Sequence, residues 1–339
     1  MLSTDTYQAA RQRAASIDRS DRGRIVVSGA DRASYLQGLL TNDVVALKPG
    51  EGCYAAYLTP QGRMIADLFV YELGDVMLLT VPLAQKDGVM ARLDQFIFSE
   101  DVQLGDVTDT FFTLAIVGPE AAPIVGRLVG DPGGEISMLP EHGNRRVAFA
   151  GGAAIVTRIT DTGEPGFDVY VEQRCVDVLR AALAAEGVPA AGPEVAAAIR
   201  IEAGMPKFNL DMDTDTIPLE AGIEPRAISL SKGCYVGQEV IIRVLHRGHG
   251  RVARKLAGLL LEGAVVPAAG ADITVESRVI GHVTSSAASP SLGRPIALAY
   301  LHRDFLAPGT AVSVAGQPAA VAALPFVSIG EARPIPNQS

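Results

Sequence analysis

A chain of 339 residues with 48% apolar content exceeds the size of one core and can build two or three without disulfides or metals. Its net charge of -9, from 29 Lys and Arg against 38 Asp and Glu, argues against binding along a nucleic-acid backbone. Cys53, Cys175 and Cys234 are odd in number and form no Cys-x-x-Cys pair. That excludes a disulfide framework and a zinc knuckle, and it points to a reducing cytoplasm. Residues 1–13 lack the apolar core of a secretory signal and no stretch approaches membrane-spanning length, so a soluble protein without membrane partners is expected.

Taken in order, residues 5–17 have the spacing of a short amphipathic helix, and 24–28 read as a strand ended by Gly29. Asp31 is the expected N-cap of a helix over 32–40, which Thr41-Asn42-Asp43 stops. Strands over 53–59 and 63–73 flank the turn Pro60-Gln61-Gly62 and predict a hairpin. In its second strand, alternation puts Asp67 on the face of Ile65, Phe69 and Tyr71. An ionised carboxylate among apolar neighbours is costly, so either backbone amides satisfy it or it faces a pocket where a ligand does.

A strand over 76–81, a helix over 83–98 and the acidic residues 99–101 close a first block. A second block has a strand over 112–117, a helix to 129, a loop over 130–143, strands over 153–160 and 167–172, and a helix over 176–185. The similar order hints at an internal duplication, although no residue-level repeat is visible. A helix over 195–203 leads into a loop whose acids, Glu202, Asp211, Asp213, Asp215 and Glu220, fit no calcium-loop spacing. That loop reads as solvated and not as a metal site. Beyond 254, six short apolar runs at 256–261, 272–276, 279–285, 296–301, 311–314 and 319–324 suggest a small barrel.

The densest chemistry lies in Lys232-Gly233-Cys234-Tyr235-Val236-Gly237-Gln238-Glu239. A lysine two residues from a thiol favours the thiolate, as do the N-terminal amides of a helix begun at Gln238. The glycines let backbone approach a ligand, Tyr235 offers a ring and a hydroxyl, and Gln238 and Glu239 add an amide and a carboxylate. The competing reading is a tight turn around a buried, inert cysteine. The basic run Arg243, His246, Arg247, Arg251, Arg254, Lys255 either meets one anionic small molecule or is a solvated face.

Residues 232–239, with Arg243 and His246-Arg247-Gly248, resemble the signature of the YgfZ-type folate-binding proteins. Gly29-Ala30-Asp31, Tyr35-Leu36-Gln37-Gly38, Thr41-Asn42-Asp43-Val44 and Gln61-Gly62-Arg63 resemble the same family. Thr162-Gly163-Glu164-Pro165-Gly166-Phe167 and Arg200-Ile201-Glu202-Ala203-Gly204 resemble the wider superfamily, which includes the glycine cleavage T protein, an aminomethyltransferase.

The resemblance implies an α+β fold arranged as a three-domain ring around a central folate site. A folate-binding lobe over 1–108 is completed by 196–245, a second α+β lobe spans 109–195, and a C-terminal β-barrel spans 246–339. It implies tetrahydrofolate or a one-carbon derivative as cofactor, held by Asp67, Glu164, Arg200, Tyr235, Gln238, Glu239 and Arg243. Cys234, Lys232 and Asp67 would carry the chemistry. Compared with T proteins, this chain has Cys234 where they have no cysteine, Val81-Pro82 where they have an asparagine, and Ala196 to Ala198 where they have a further arginine. On those departures the resemblance favours an accessory factor for assembly or repair of iron-sulfur proteins, with such proteins as partners. The alternative is a folate-dependent aminomethyltransferase or demethylase of the T-protein type.

Overall fold

In the computed structural model, which describes residues 2–246 and 250–328, two five-stranded antiparallel sheets stand beside a closed six-stranded barrel. After helix α1 (Thr4–Gln12) and strand β1 (Ala15–Asp18), the first sheet is made by β2 (Arg22–Ser28), β3 (Gly52–Leu58), β4 (Met64–Glu72), β5 (Met77–Pro82) and β6 (Gln103–Asp106). Its order is β3-β4-β5-β2-β6. Helices α2 (Arg32–Leu39) and α3 (Lys86–Asp94) cover one face, burying Leu36, Leu39, Val89 and Leu93 against Ala55, Leu68 and Val70.

The second sheet joins β1 to β7 (Phe111–Val117), β8 (Asn144–Phe149), β9 (Gly152–Ile159) and β10 (Gly166–Glu172) in the order β1-β7-β10-β9-β8. Helices α4 (Ala121–Val129) and α5 (Val176–Ala185) cover one face of it. Setting β2 against β7, β3 against β8, β4 against β9 and β5 against β10, the two sheets have the same strand order. The repeat that hydropathy only hinted at therefore exists as topology. A local echo accompanies it, because Gly29 and Gly118, each ending the first strand of its lobe, have φ of +101° and +122°. A Cβ at either would lie within 2.6 Å of a backbone oxygen, Asp101 O or Ala10 O, so only glycine fits.

Several boundaries differ from expectation for physical reasons. The first helix stops at Gln12 because residues 15–18 are recruited as an edge strand by β7, a tertiary gain that overrides local periodicity. Asp31 is the N-cap residue of α2 as expected, but its side chain makes no capping hydrogen bond; its carboxylate accepts from the Asp101 amide at 2.9 Å instead. The edge strands β6 and β8 escaped the sequence reading because Gln103-Leu104-Gly105-Asp106 and Asn144-Arg145-Arg146 look like loops by composition.

Helix α6 (Pro193–Glu202) and the short α7 (Pro218–Ala221) and α8 (Glu224–Ala227) lead to α9 (Gln238–His246). The barrel follows as β11 (Arg254–Leu261), β12 (Asp272–Val275), β13 (Arg278–Ser289), β14 (Arg294–His302), β15 (Ala311–Val314) and β16 (Gln317–Ala322). All six runs expected from the sequence are strands here. Tyr7 and Ala10 of α1, Ile199 of α6, and Ile296 and Leu298 of the barrel share one core, which joins the three parts. Among the described residues no helix is long and apolar enough to cross a membrane.

Candidate functional site between the sheets

The uncovered faces of the two sheets meet in an aromatic cluster. Tyr54, Phe69 and Tyr71 come from the first sheet, Ile155 and Tyr170 from the second, and Phe208, Met212 and Tyr235 from the connecting segment. Asp67 lies on β4 within this face, but its neighbour there is Met64, not Ile65 as alternation suggested. A register shift between Tyr57 and Leu58 turns Ile65 to the helical side.

Asp67 is 6% exposed. Its Oδ2 accepts from the Tyr54 hydroxyl at 2.9 Å, while Oδ1 has only Arg22 Nη1 at 3.8 Å and no hydrogen bond. Neither backbone amide nor bidentate guanidinium satisfies it. The carboxylate is therefore under-partnered and walled by rings, with Arg22 over Phe69 at 5.2 Å and Arg226 over Tyr54 at 5.3 Å.

The second sheet brings to this face an acid that the sequence reading passed over, Asp168 on β10. It is 3% exposed and shares its face with Tyr170, whose hydroxyl is 3.4 Å from Asp168 Oδ2. The signal was present, since Gly166, Asp168 and Tyr170 alternate as Asp67, Phe69 and Tyr71 do. Burial pushes its pKa up to about 6, and nearby Asp161 adds to the rise, against Arg19. Arg19 donates to Asp161 at 2.7 Å but reaches Asp168 only at 3.3 Å without hydrogen-bond geometry. Burial likewise opposes the charge of Asp161, yet the charge and hydrogen bond of Arg19, with Arg22 and His142, together hold that carboxyl below its usual value.

The folded state thus binds a proton at Asp168 more tightly than the unfolded state does, so this group's contribution to stability is complete below pH ~4 and lost as pH rises through about 6. Asp168→Asn is expected to raise stability by roughly 1–3 kcal/mol above pH 6, with the gain fading toward pH 4. Urea melts at both pH values check this.

The 232–239 segment packs on α2 and on the β3–β4 hairpin. Lys232 is buried, and its ammonium donates to the carbonyls of Gln37, Leu40 and Asn42 at 2.6, 2.6 and 3.0 Å. It closes the end of α2 with all three protons engaged, so it is not the free cation beside Cys234 that the spacing suggested. Burial pulls its pKa down to about 8. A Cβ at Gly237 would lie 2.5 Å from Thr59 O, and one at Gly62 would lie 2.8 Å from Val240, so these glycines serve contact between motif and hairpin. Tyr235 turns inward, with the Lys232 ammonium 5.1 Å from its ring centre, and burial pushes its pKa up to about 12.

Cys234 is exposed, whereas Cys53 and Cys175 are buried. It stands before α9, which does begin at Gln238. Gln238 is half-buried, while Glu239, Arg243 and His246 are exposed. Arg247 and Gly248 of the expected signature lie outside the described residues.

Two other expected residues sit elsewhere. Glu164 is ion-paired to Arg11, which also pairs with Glu202, at the junction of α1 and α6. Arg200 donates to Asp211 Oδ2 and to the Met205 carbonyl, both at 2.6 Å, and to Ser285 of the barrel at 2.9 Å. Both belong to the seams between parts of the protein, not to the aromatic face around Asp67.

Comparison with known proteins agrees with this architecture. Residues 2–232 match the GCVT N-terminal domain, and 254–328 match the glycine cleavage T-protein C-terminal barrel domain. The chain is 33% identical over 333 residues to an aminomethyltransferase of Streptomyces avermitilis, covering 95% of this chain and 88% of that one. It is 34% identical over 295 residues to an aminomethyltransferase of Rubrobacter xylanophilus, covering 87% and 78%. The crystal structure of the glycine cleavage system aminomethyltransferase T from Bartonella henselae superposes with a TM-score of 0.86 at 25% identity, covering 95% of this chain and 89% of that one. The chain belongs to the glycine cleavage T-protein family.

Proposed function

We propose that this protein is a tetrahydrofolate-dependent one-carbon transferase of the aminomethyltransferase type, working at the face between the two sheets. The observation that carries the reading is Asp67, a buried carboxylate with one oxygen fixed by Tyr54 and the other without a hydrogen bond. Names of relatives support it, since those 33–34% identical over most of the chain are aminomethyltransferases.

The residues fit the ligand. A flat heterocycle carrying N–H donors suits the chemistry of this face, which sets the rings of Phe69, Tyr71 and Tyr170 beside the buried carboxyl groups of Asp67 and Asp168. When bound, tetrahydrofolate supplies the amine nitrogens that accept a one-carbon unit. Asp67 would meet an N–H of such a ligand with Oδ1, the oxygen that has no hydrogen bond in the free protein, and would be the proton acceptor there. Tyr54 keeps the carboxylate oriented, the aromatic rings exclude water, and Asp168 adds a second buried carboxyl to this face, its protonated form favoured by burial.

The test is calorimetric titration of the purified protein with tetrahydrofolate, followed by an assay for methylene-tetrahydrofolate from an aminomethylated carrier. Absence of both heat and product would sink the proposal.

A second reading, the iron-sulfur accessory role with cluster proteins as partners, is favoured by the exposed Cys234. Folate binding without transfer would support it. Cys234→Ala is expected to melt within about a degree of the parent and to bind folate equally, because an exposed side chain contributes little packing. In the folded parent Cys234 should be the thiol that reacts with an aromatic disulfide reagent, with all three reacting only in denaturant. The accessory role then requires that Cys234→Ala fail to restore iron-sulfur enzyme activity in cells lacking the native protein. Equal rescue would exclude a thiol mechanism.

A further inference from the structure

The basic run after α9 contains Arg254, and at that residue the structure opens a cavity that the proposed transfer does not use. Its volume is about 200 Å³, and it lies between the barrel and segment 210–216. Arg254 at the start of β11, His282 and Thr284 on β13, Tyr300 on β14, and Asp213 and Thr216 from the segment give it polar walls.

These groups are held in place. Tyr300 is 4% exposed, and its hydroxyl has no hydrogen-bond partner in the free protein. Thr284 donates to Asp211 Oδ1 at 2.5 Å, and Thr216 donates to Asp213 Oδ1 at 2.8 Å. The Arg254 guanidinium lies over the Tyr300 ring at 4.8 Å and meets Glu220 through Nη2 at 3.4 Å, which leaves most of its donor fork unused. Asp213 spends Oδ1 on Thr216 and on the Asp215 amide at 2.9 Å. Buried Asp211 is neutralised by Arg200 at 2.6 Å. The charges left to face the cavity are thus one guanidinium and one carboxylate, with the His282 imidazole beside them.

Size narrows the ligand further. At ~30 Å³ per water the space holds roughly six or seven waters, well below the ~300–1,000 Å³ of sites for drug-sized molecules. We propose that this cavity binds a small zwitterionic amino acid, its carboxylate on the Arg254 fork and its ammonium on Asp213, with the Thr216, Thr284 and Tyr300 hydroxyls completing the hydrogen bonds. Asp213 repels a second carboxylate, and Arg254 repels a bare cation.

The experiment is a titration of the full-length protein, followed by calorimetry, with glycine and L-serine and with acetate and methylammonium as single-charge probes. Saturable binding of the amino acids is expected, with a loss of roughly tenfold or more for either single-charge probe and for Arg254→Gln and Asp213→Asn. Each variant's melting temperature is measured alongside, and Arg254→Lys separates a bidentate fork from simple charge by failing to restore affinity. No saturable binding of either amino acid, or undiminished binding in both folded variants, overturns the proposal. Competition with tetrahydrofolate overturns it as a separate site, and Asp67→Asn should leave amino-acid affinity unchanged.

Discussion

Asp67→Asn is expected to cost roughly 10- to 100-fold in tetrahydrofolate affinity while melting at or above the temperature of the parent protein. The two halves of that expectation share one cause. In the free protein the carboxylate is 6% exposed with a single hydrogen bond, from Tyr54, and a guanidinium no nearer than 3.8 Å. Folding therefore carries an incompletely compensated charge, and an amide of the same shape relieves it. A ligand N–H supplies the missing partner, and a hydrogen bond to a charged group contributes about 1.5–3 kcal/mol, which sets the fold-change. Any transfer activity should fall further, by about 100- to 10,000-fold, because asparagine cannot accept a proton. Paired calorimetry and thermal melts check both halves; a large loss of stability with unchanged affinity would make Asp67 a structural carboxylate.

Arg11→Met should be the most destabilising of the substitutions considered, by on the order of 3–5 kcal/mol, or around ten degrees in melting temperature. Arg11 lies between Glu164 and Glu202, and Glu202 is fully buried and accepts as well from Tyr7 at 2.5 Å and from Ser289. Burial disfavours the guanidinium charge, yet Glu202, Tyr7 and Glu164 together more than offset this and hold the group protonated. Removing the cation leaves two carboxylates in the dry junction of α1, α6 and the barrel. Both would gain protons as pH falls, so the deficit of Arg11→Met should shrink below pH ~5. Arg11→Met combined with Glu202→Gln should recover part of the loss. A deficit independent of pH would show that packing, not charge, is what Arg11 provides.

How far the sequence could be read depended on how local each signal was. The barrel strands were legible because their apolar runs are bounded by glycine and proline, and the hairpin holding Asp67 was legible through period-two alternation. The bulge that moves Ile65 off that face was not, since nothing local marks it. Asp168 follows the same alternation as Asp67, but the neighbouring Glu164 drew attention by its place in a turn that resembles the T protein. Glu164 instead faces Arg11 across 153 positions, a pairing no periodicity reports. Lys232 is a similar case, because its partners are backbone carbonyls at the end of a helix nearly 200 residues earlier. Side chains that stitch distant segments together leave no repeating pattern.

The edge position of β1 in the second sheet bears on the order in which the chain can assemble during synthesis. The first sheet is complete once Asp106 has emerged, but β1 has no partner before β7 ends at Val117, and Arg11 meets its first carboxylate only with Glu164 and its second with Glu202. At about 5–20 residues per second, the amphipathic α1 waits on the order of 10–40 s with its apolar side unburied. A nascent-chain binding factor would have that interval to reach it. A helix made before either sheet is thus docked after the first of them has closed.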